Sequence, residues 1–285
     1  MSAVIEAKGL TKYYGKTRAV DGASFSIHEG RIVGLIGPNG AGKTTALKAI
    51  LGLTNFKGEL KVLGLDPYRE RDRLMQQVCF IADVAVLPRW LKVSNAVDFM
   101  EAIHPKFERS RAMDFLSRTD VSMGKKVGEL SKGMVTQLHL ALIMAIDAKL
   151  LILDEPTLGL DILSRKDFYR ALLSDYFDEK RTILITTHQV EEIEHILTDL
   201  LFINKGRIVL DATMEAVAEN FVEVAIHPDH RERAESLRPL YEHQVFGRSV
   251  FLYDGIARDK LVELGDVRTP SVADLFVAKV RGEAA

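Results

Sequence analysis

The sequence predicts an α/β domain built on a largely parallel sheet, with a small α+β appendage behind it. The N-terminal runs "VIEAKGL", "ASFSI" and "RIVGLIG" are β-rich, and beyond them strands alternate with helical patterns. "KLLILDEP" and "RTILITTH" are short, nearly all-apolar runs closed by polar residues, as expected of central parallel strands covered on both faces. From about Phe221 the texture changes: "FVEVAIHP", a charged helical stretch, "GRSVFLYDG" and the apolar-periodic "PSVADLFVAKVRG" follow. The expected division is therefore 1–220 for the main domain and 221–285 for the appendage.

A chain of 285 residues, 47% of them hydrophobic, can bury a substantial core. Its formal net charge of −2 gives no global attraction to nucleic acid or to an anionic membrane surface, although a local basic patch would escape this sum, so charge alone names no partner; no nucleic-acid partner is expected. Cys79 is the only cysteine, which excludes an intrachain disulfide and a cysteine-built zinc site and fits the cytosol. The start, "MSAVIEAKGL", lacks the basic flank and apolar core of a signal peptide. The most apolar stretch, 138–153, is broken by His139, Asp147 and Lys149 and falls short of the ~20 apolar residues of a membrane span. Any membrane crossing is expected from another chain.

"GLIGPNGAGKTTALKAI" places Gly37, four residues, then Gly42, Lys43 and Thr44 directly after an apolar strand and at the opening of a helix. In this P-loop pattern Gly37, Pro38, Asn39, Gly40, Ala41, Gly42, Lys43, Thr44 and Thr45 form the phosphate cradle. The glycines allow the tight loop, backbone N–H groups face the phosphates at the helix N-terminus, Lys43 meets the β- and γ-phosphates, and the Thr44 hydroxyl reaches Mg²⁺. "LLILDEP" then supplies two adjacent carboxylates at a strand end. Such a pair is costly unless its charge is compensated, which Mg²⁺ beside Asp154 and a lytic water beside Glu155 would do. His188 closes the next apolar strand; alone it reads as a structural histidine, and beside the other two motifs as a donor to the γ-phosphate or a positioner of the water.

The order of the loop, "LSKGM", "LLILDEP", "LGLD" and "ITTH" resembles the nucleotide-binding subunit of ABC transporters from Val4 to about Thr213. The resemblance implies a P-loop ATPase with a mixed core sheet, an antiparallel β subdomain and a helical subdomain at about 88–148. It implies ATP and Mg²⁺ as cofactors, with Glu155 and His188 catalytic. It also implies that Tyr14, in "TKYYG", stacks on adenine and that Asp161 lies where two such domains meet. Ser131 and Gly133 would open a helix whose free N–H groups face the γ-phosphate held by a second copy. A head-to-tail pair, expected to be a homodimer, would close on two ATP molecules and reopen after hydrolysis.

Two departures stand out. Lys132 and Met134 occupy positions where the usual segment has glycine and glutamine, and Met134 cannot donate a hydrogen bond. Asp83, in "VCFIADVAVLPRW", stands where the family usually carries a glutamine linking Mg²⁺ to the membrane partner; an aspartate can still ligate a hard cation. With "LSKGM", this resembles the antibiotic-resistance, acetoin-utilisation and sodium-export type subgroup, which is largely exporter-like and pairs with separately encoded permeases. The implied place is peripheral, at the cytoplasmic face of the inner membrane. The permease-facing part is expected between Asp83 and Lys126, with Trp90 as contact; Ala96, Val97, Phe99, Met100 and Ile103 are expected mostly in the core. Val272, Leu275, Phe276, Val277 and Val280 have the spacing of a helix packed on its own appendage. The competing readings are a soluble ABC-type ATPase uncoupled from transport, or a nucleotide-binding regulator.

Overall fold

The computed structural model describes residues 2–81, 87–158, 160–245 and 247–282. Asp83 lies outside the described residues.

Alternating burial turns the first strands into a ribbon with one dry face. β1 (Ala3–Tyr14) and β2 (Thr17–His28) pair antiparallel, burying Ile5, Ala7 and Leu10 against Val20, Ala23, Phe25 and Ile27. β3 (Ile32–Ile36) is buried throughout and feeds the 37–42 loop and α1 (Lys43–Ile50). β4 (Lys57–Val62) completes a three-stranded antiparallel sheet, ordered β2-β1-β4. α2 (Arg71–Met75) leads into β5 (Val78–Ile81).

The helical subdomain holds α3 (Val93–Ile103), α4 (Arg109–Ser117) and α5 (Lys132–Met144), which share a core of Val93, Ala96, Val97, Leu116, Val127, Leu138 and Ala141. α5 starts where the sequence predicts: Ser131 caps it by accepting the Met134 amide at 3.2 Å. The expectation for α3 holds only in part. Ala96 and Val97 are buried, but Phe99 is 59% exposed and Ile103 56%, because the subdomain is thin and covers only one side of the helix.

β6 (Leu150–Asp154), α6 (Ile162–Ala171), β7 (Thr182–Thr187), β8 (Asp199–Asn204) and β9 (Arg207–Thr213) complete the main sheet, ordered β5-β6-β7-β3-β8-β9. The neighbours are parallel except β8 with β9, so the sheet is largely parallel as predicted. Both faces are dry. Val33 and Leu35 pack toward α1 and the antiparallel sheet, while Ile32 and Ile36 pack toward α6.

After α7 (Met214–Asn220), the appendage forms an antiparallel sheet from β10 (Phe221–Ile226), β11 (Tyr241–Val245), β12 (Arg248–Asp254) and β13 (Gly265–Arg268), ordered β11-β12-β10-β13. The short helices α8 (Arg231–Ser236) and α9 (Arg258–Leu261) cover one face, and α10 (Val272–Gly282) ends the described chain. α10 packs on the appendage as expected, sharing a core with Phe221, Tyr241 and Leu252 and pairing Lys279 with Asp254, and it reaches the main sheet as well. Its Val272, Leu275 and Ala278 join the core beneath the main sheet with Ile196, Leu200 and Phe202, and Phe276 meets Phe202 edge to face at 5.1 Å. Apolar periodicity marks a buried face but not the surface it meets.

Candidate functional site

The site gathers at the C-terminal ends of three neighbouring parallel strands, β3, β6 and β7. Gly37 leaves β3 beside β8: a Cβ there would come 2.3 Å from the Ile203 carbonyl oxygen. Gly42 adopts φ 112°, and a Cβ on it would come 2.5 Å from the Ala19 carbonyl oxygen. Gly42 is also the N-cap of α1, with no side-chain cap and no acid in the first turn, which leaves the helix N-terminus to an anion. Pro38 to Thr45, with Ala19, Asp154 and Glu155, line a cavity of about 370 Å³.

Lys43 is 7% exposed and donates from Nζ to the Gly37 carbonyl at 2.6 Å, while Glu155 Oε1 lies 3.9 Å away. Desolvation lowers its pKa, and the nearby Glu155 and Asp154 carboxylates oppose that shift. Asp154, at the end of β6, is 6% exposed. Its Oδ1 accepts the Thr186 hydroxyl at 2.5 Å, and its Oδ2 lies 3.5 Å from Thr44 Oγ1. Among the described residues no ion pair reaches Asp154, so one lysine stands against two carboxylates. That excess of negative charge, bordered by a hydroxyl, suits a hard divalent cation completed by phosphate oxygens. Among the described residues there is no group of three or more His, Cys, Asp or Glu that could hold a metal ion.

Glu155 sits just past the strand with φ 49°, its amide donating to the Thr186 carbonyl at 3.1 Å. That backbone turn aims the carboxylate at the end of β7, where Oε2 meets His188 Nδ1 at 2.9 Å. With a carboxylate as acceptor, Nδ1 carries the proton and Nε2 is the free ring nitrogen. The structure thus brings together Lys43, Thr44, Asp154, Glu155 and His188.

Other predicted residues lie apart from this cavity. Tyr14 ends β1, 48% exposed, with Lys12 Nζ 5.2 Å from its ring centroid. Ser131 and Gly133 open α5, and Asp161 opens α6, where its carboxylate accepts the Leu163 and Ser164 amides at 3.0 Å. A Cβ on Gly133 would meet Ser164 Oγ at 3.2 Å, so the first turns of α5 and α6 are neighbours. Lys132 is exposed, and Met134 packs partly buried against the helical subdomain. Trp90 is 73% exposed. The sequence reading missed Thr186, which steers Asp154; a threonine within the apolar run "ILITTH", needing a partner for its hydroxyl, was the available signal.

With the geometry in place, comparison with known proteins decides the lineage. The family described as "ABC transporter" matches residues 20–158. The Nod factor export ATP-binding protein I of Burkholderia orbicola is 33% identical over 269 residues, spanning 88% of this chain and 86% of the relative. The chain belongs to the ABC transporter ATP-binding family. The protein of the same name from Rhizobium meliloti is 31% identical, covering 97% of this chain and 88% of its own length. Among solved structures, an ATP-binding subunit of an ABC transporter superposes with TM-score 0.69 at 21% identity, over 91% of this chain and 98% of that one. The ADP conformation of an ATP-binding cassette from an ABC transporter gives 0.65 at 21% identity, over 75% and 92%. This ABC protein is therefore an ATP-binding subunit with ATPase activity, related to exporter-type nucleotide-binding proteins. Among the described residues no helix is long and apolar enough to cross a membrane, and kinship with transporter subunits implies a membrane partner.

Proposed function

We propose that this ATPase drives export through a separately encoded permease, docked at the cytoplasmic face of the membrane, and that it works as a head-to-tail pair of identical chains. The contact between Glu155 and His188, set above the Lys43 loop, is the observation that carries the catalytic reading. The 37–45 loop and the α1 N-terminus bind the triphosphate, with Lys43 leaving the Gly37 carbonyl for the β- and γ-phosphates. Thr44 and Asp154 would hold Mg²⁺, which when bound neutralises phosphate charge. Glu155 accepts the proton of the attacking water, and the His188 ring keeps that carboxylate oriented. Tyr14 offers an exposed ring for the adenine.

Ser131, Gly133 and Asp161 have no part in the chain's own cavity, which supports their service to a second copy. Ser131 presents a capped helix start, and neighbouring Ser164 and Asp161 are exposed or half-exposed. Trp90, Phe99 and Ile103 are the most exposed of the large apolar residues described in the helical subdomain and are assigned to the permease contact. Export as the direction follows the names of the relatives. The test is the Glu155→Gln variant. Turnover should fall at least ~100-fold while ATP stays bound, and light scattering should show a Mg-ATP-dependent dimer. A nearly normal rate refutes Glu155 as the base; a persistent ATP-bound monomer refutes homodimeric closure.

A further inference from the structure

α6 carries two inward polar side chains one turn apart, Arg165 and Tyr169, and each grips a loop of the site. Arg165 Nε donates to the Leu160 carbonyl at 2.8 Å, next to Asp161. Its Nη1 donates to Gln189 Oε1 at 3.0 Å, next to His188, and pairs with Glu192 Oε1. Tyr169, 4% exposed, shares a hydrogen bond of 3.2 Å with Thr157, two residues past Glu155. Packing does not fill the space between α6 and the turns after His188. A cavity of about 590 Å³ opens there, lined by Ile162, Tyr169, Leu173, Glu191 and His195, and Arg165 bridges it.

We propose that Arg165 is a positioning residue for ATP hydrolysis, fixing the Asp161 loop to the His188 segment so that Glu155 and His188 move as one unit. The proposal rests on the roles given above to those two residues. Exposed ion pairs contribute little, but this one has three acceptors on two loops, and the arginine is only 21% exposed. Glu192 Oε2 is buried without a partner, so removing the guanidinium strands a carboxylate and forces the 189–192 segment to move. A lysine, with one point charge, cannot reproduce a fork aimed at a carbonyl, an amide and a carboxylate.

The test uses the intact chain with Arg165→Gln, Arg165→Lys, Glu192→Gln and His188→Gln. The readouts are ATP affinity, kcat and KM, and the ring signals of ¹⁵N-labelled histidine; His188 is assigned by its loss in His188→Gln. Arg165→Gln should lower kcat about 10–100-fold with KM and ATP affinity within about twofold. It should also move the His188 signal. Glu192→Gln should reproduce both effects, and Arg165→Lys should restore only part of each. An unmoved His188 signal in Arg165→Gln and Glu192→Gln, or a loss of ATP affinity equal to the loss of kcat, overturns the proposal. Normal turnover in His188→Gln instead overturns the catalytic reading of His188, while its ring signal still judges the clamp. Should Arg165→Gln fail to fold, Glu192→Gln and Arg165→Lys decide by the same criteria.

Discussion

Replacing Thr186 with valine nearly keeps the shape of a strand residue and deletes one hydroxyl. That hydroxyl is fully buried and donates at 2.5 Å to Asp154 Oδ1, on a carboxylate 6% exposed. The loss therefore falls on a buried carboxylate. A hydrogen bond to a charged group is worth about 1.5–3 kcal/mol, and at ~1.4 kcal/mol per tenfold this amounts to roughly 10–100-fold. The same range, about 10–100-fold, is typical when an outer partner of a metal-holding carboxylate is removed. The assay is the initial ATPase rate at saturating ATP during a titration of free Mg²⁺. The half-activating Mg²⁺ concentration should rise by that factor, and much of the rate should return at high Mg²⁺. ATP binding without Mg²⁺ should stay the same, since Lys43 and the 37–45 loop are untouched. Thr187→Val is the control: Thr187 serves the Gln189 amide at 2.9 Å, so its loss should leave the Mg²⁺ midpoint in place. An unchanged midpoint in Thr186→Val would refute the argument that Thr186 orients Asp154 for the cation.

Lys43→Ala should abolish tight ATP binding, measured by titration with a fluorescent nucleotide; unchanged affinity would refute the phosphate assignment. Trp90→Ala should leave the ATPase rate of the isolated chain intact and reduce co-purification with a detergent-solubilised permease, and undiminished recovery of the partner would remove Trp90 from the docking surface. Burial pushes the Cys79 thiol up to about 12, above both its ordinary value and working pH. Iodoacetamide at pH 8 should therefore label the urea-unfolded chain and spare the native one. Because the folded value is the higher, this thiol favours the folded state below its ordinary pKa, and that contribution is lost as pH rises from there toward 12. Rapid native labelling would contradict the packing of β5 against β6.

The candidate site was legible because its residues lie in short local motifs. Gly37 to Thr45 is one contiguous loop, and Asp154, Glu155 and His188 each follow directly on an apolar strand, so pattern and parallel pairing alone bring them together. What escaped depends on contacts between distant elements. Thr186 and Arg165 became visible only when the strand and the helix showed which partners they face. Phe99 and Ile103 share the helical period of Ala96 and Val97, but period does not say how much of a face a thin subdomain can cover. The same ambiguity hid half of the setting of α10, which packs on the appendage as its period suggests and also beneath the main sheet. Asp161, expected at a contact between domains, proved also to be a helix cap, a role readable from an aspartate just before a helical run.

The seating of α10 bears on the timing of birth in the cell. β3 leaves the ribosome early, yet Ile32 pairs with Ile183 and Val33 with Asp199, so the strand waits through most of translation for its neighbours. Even then β8 lacks its cover, because Phe202 packs on Phe276 of a helix synthesised after every strand. Ile203, the residue after Phe202, presses its carbonyl against Gly37 at the root of the nucleotide loop. The strand that borders the 37–45 loop thus takes the cover of its other face from a helix far along the chain, and until residues 272–278 are made the apolar surface of Leu200 and Phe202 stands without it.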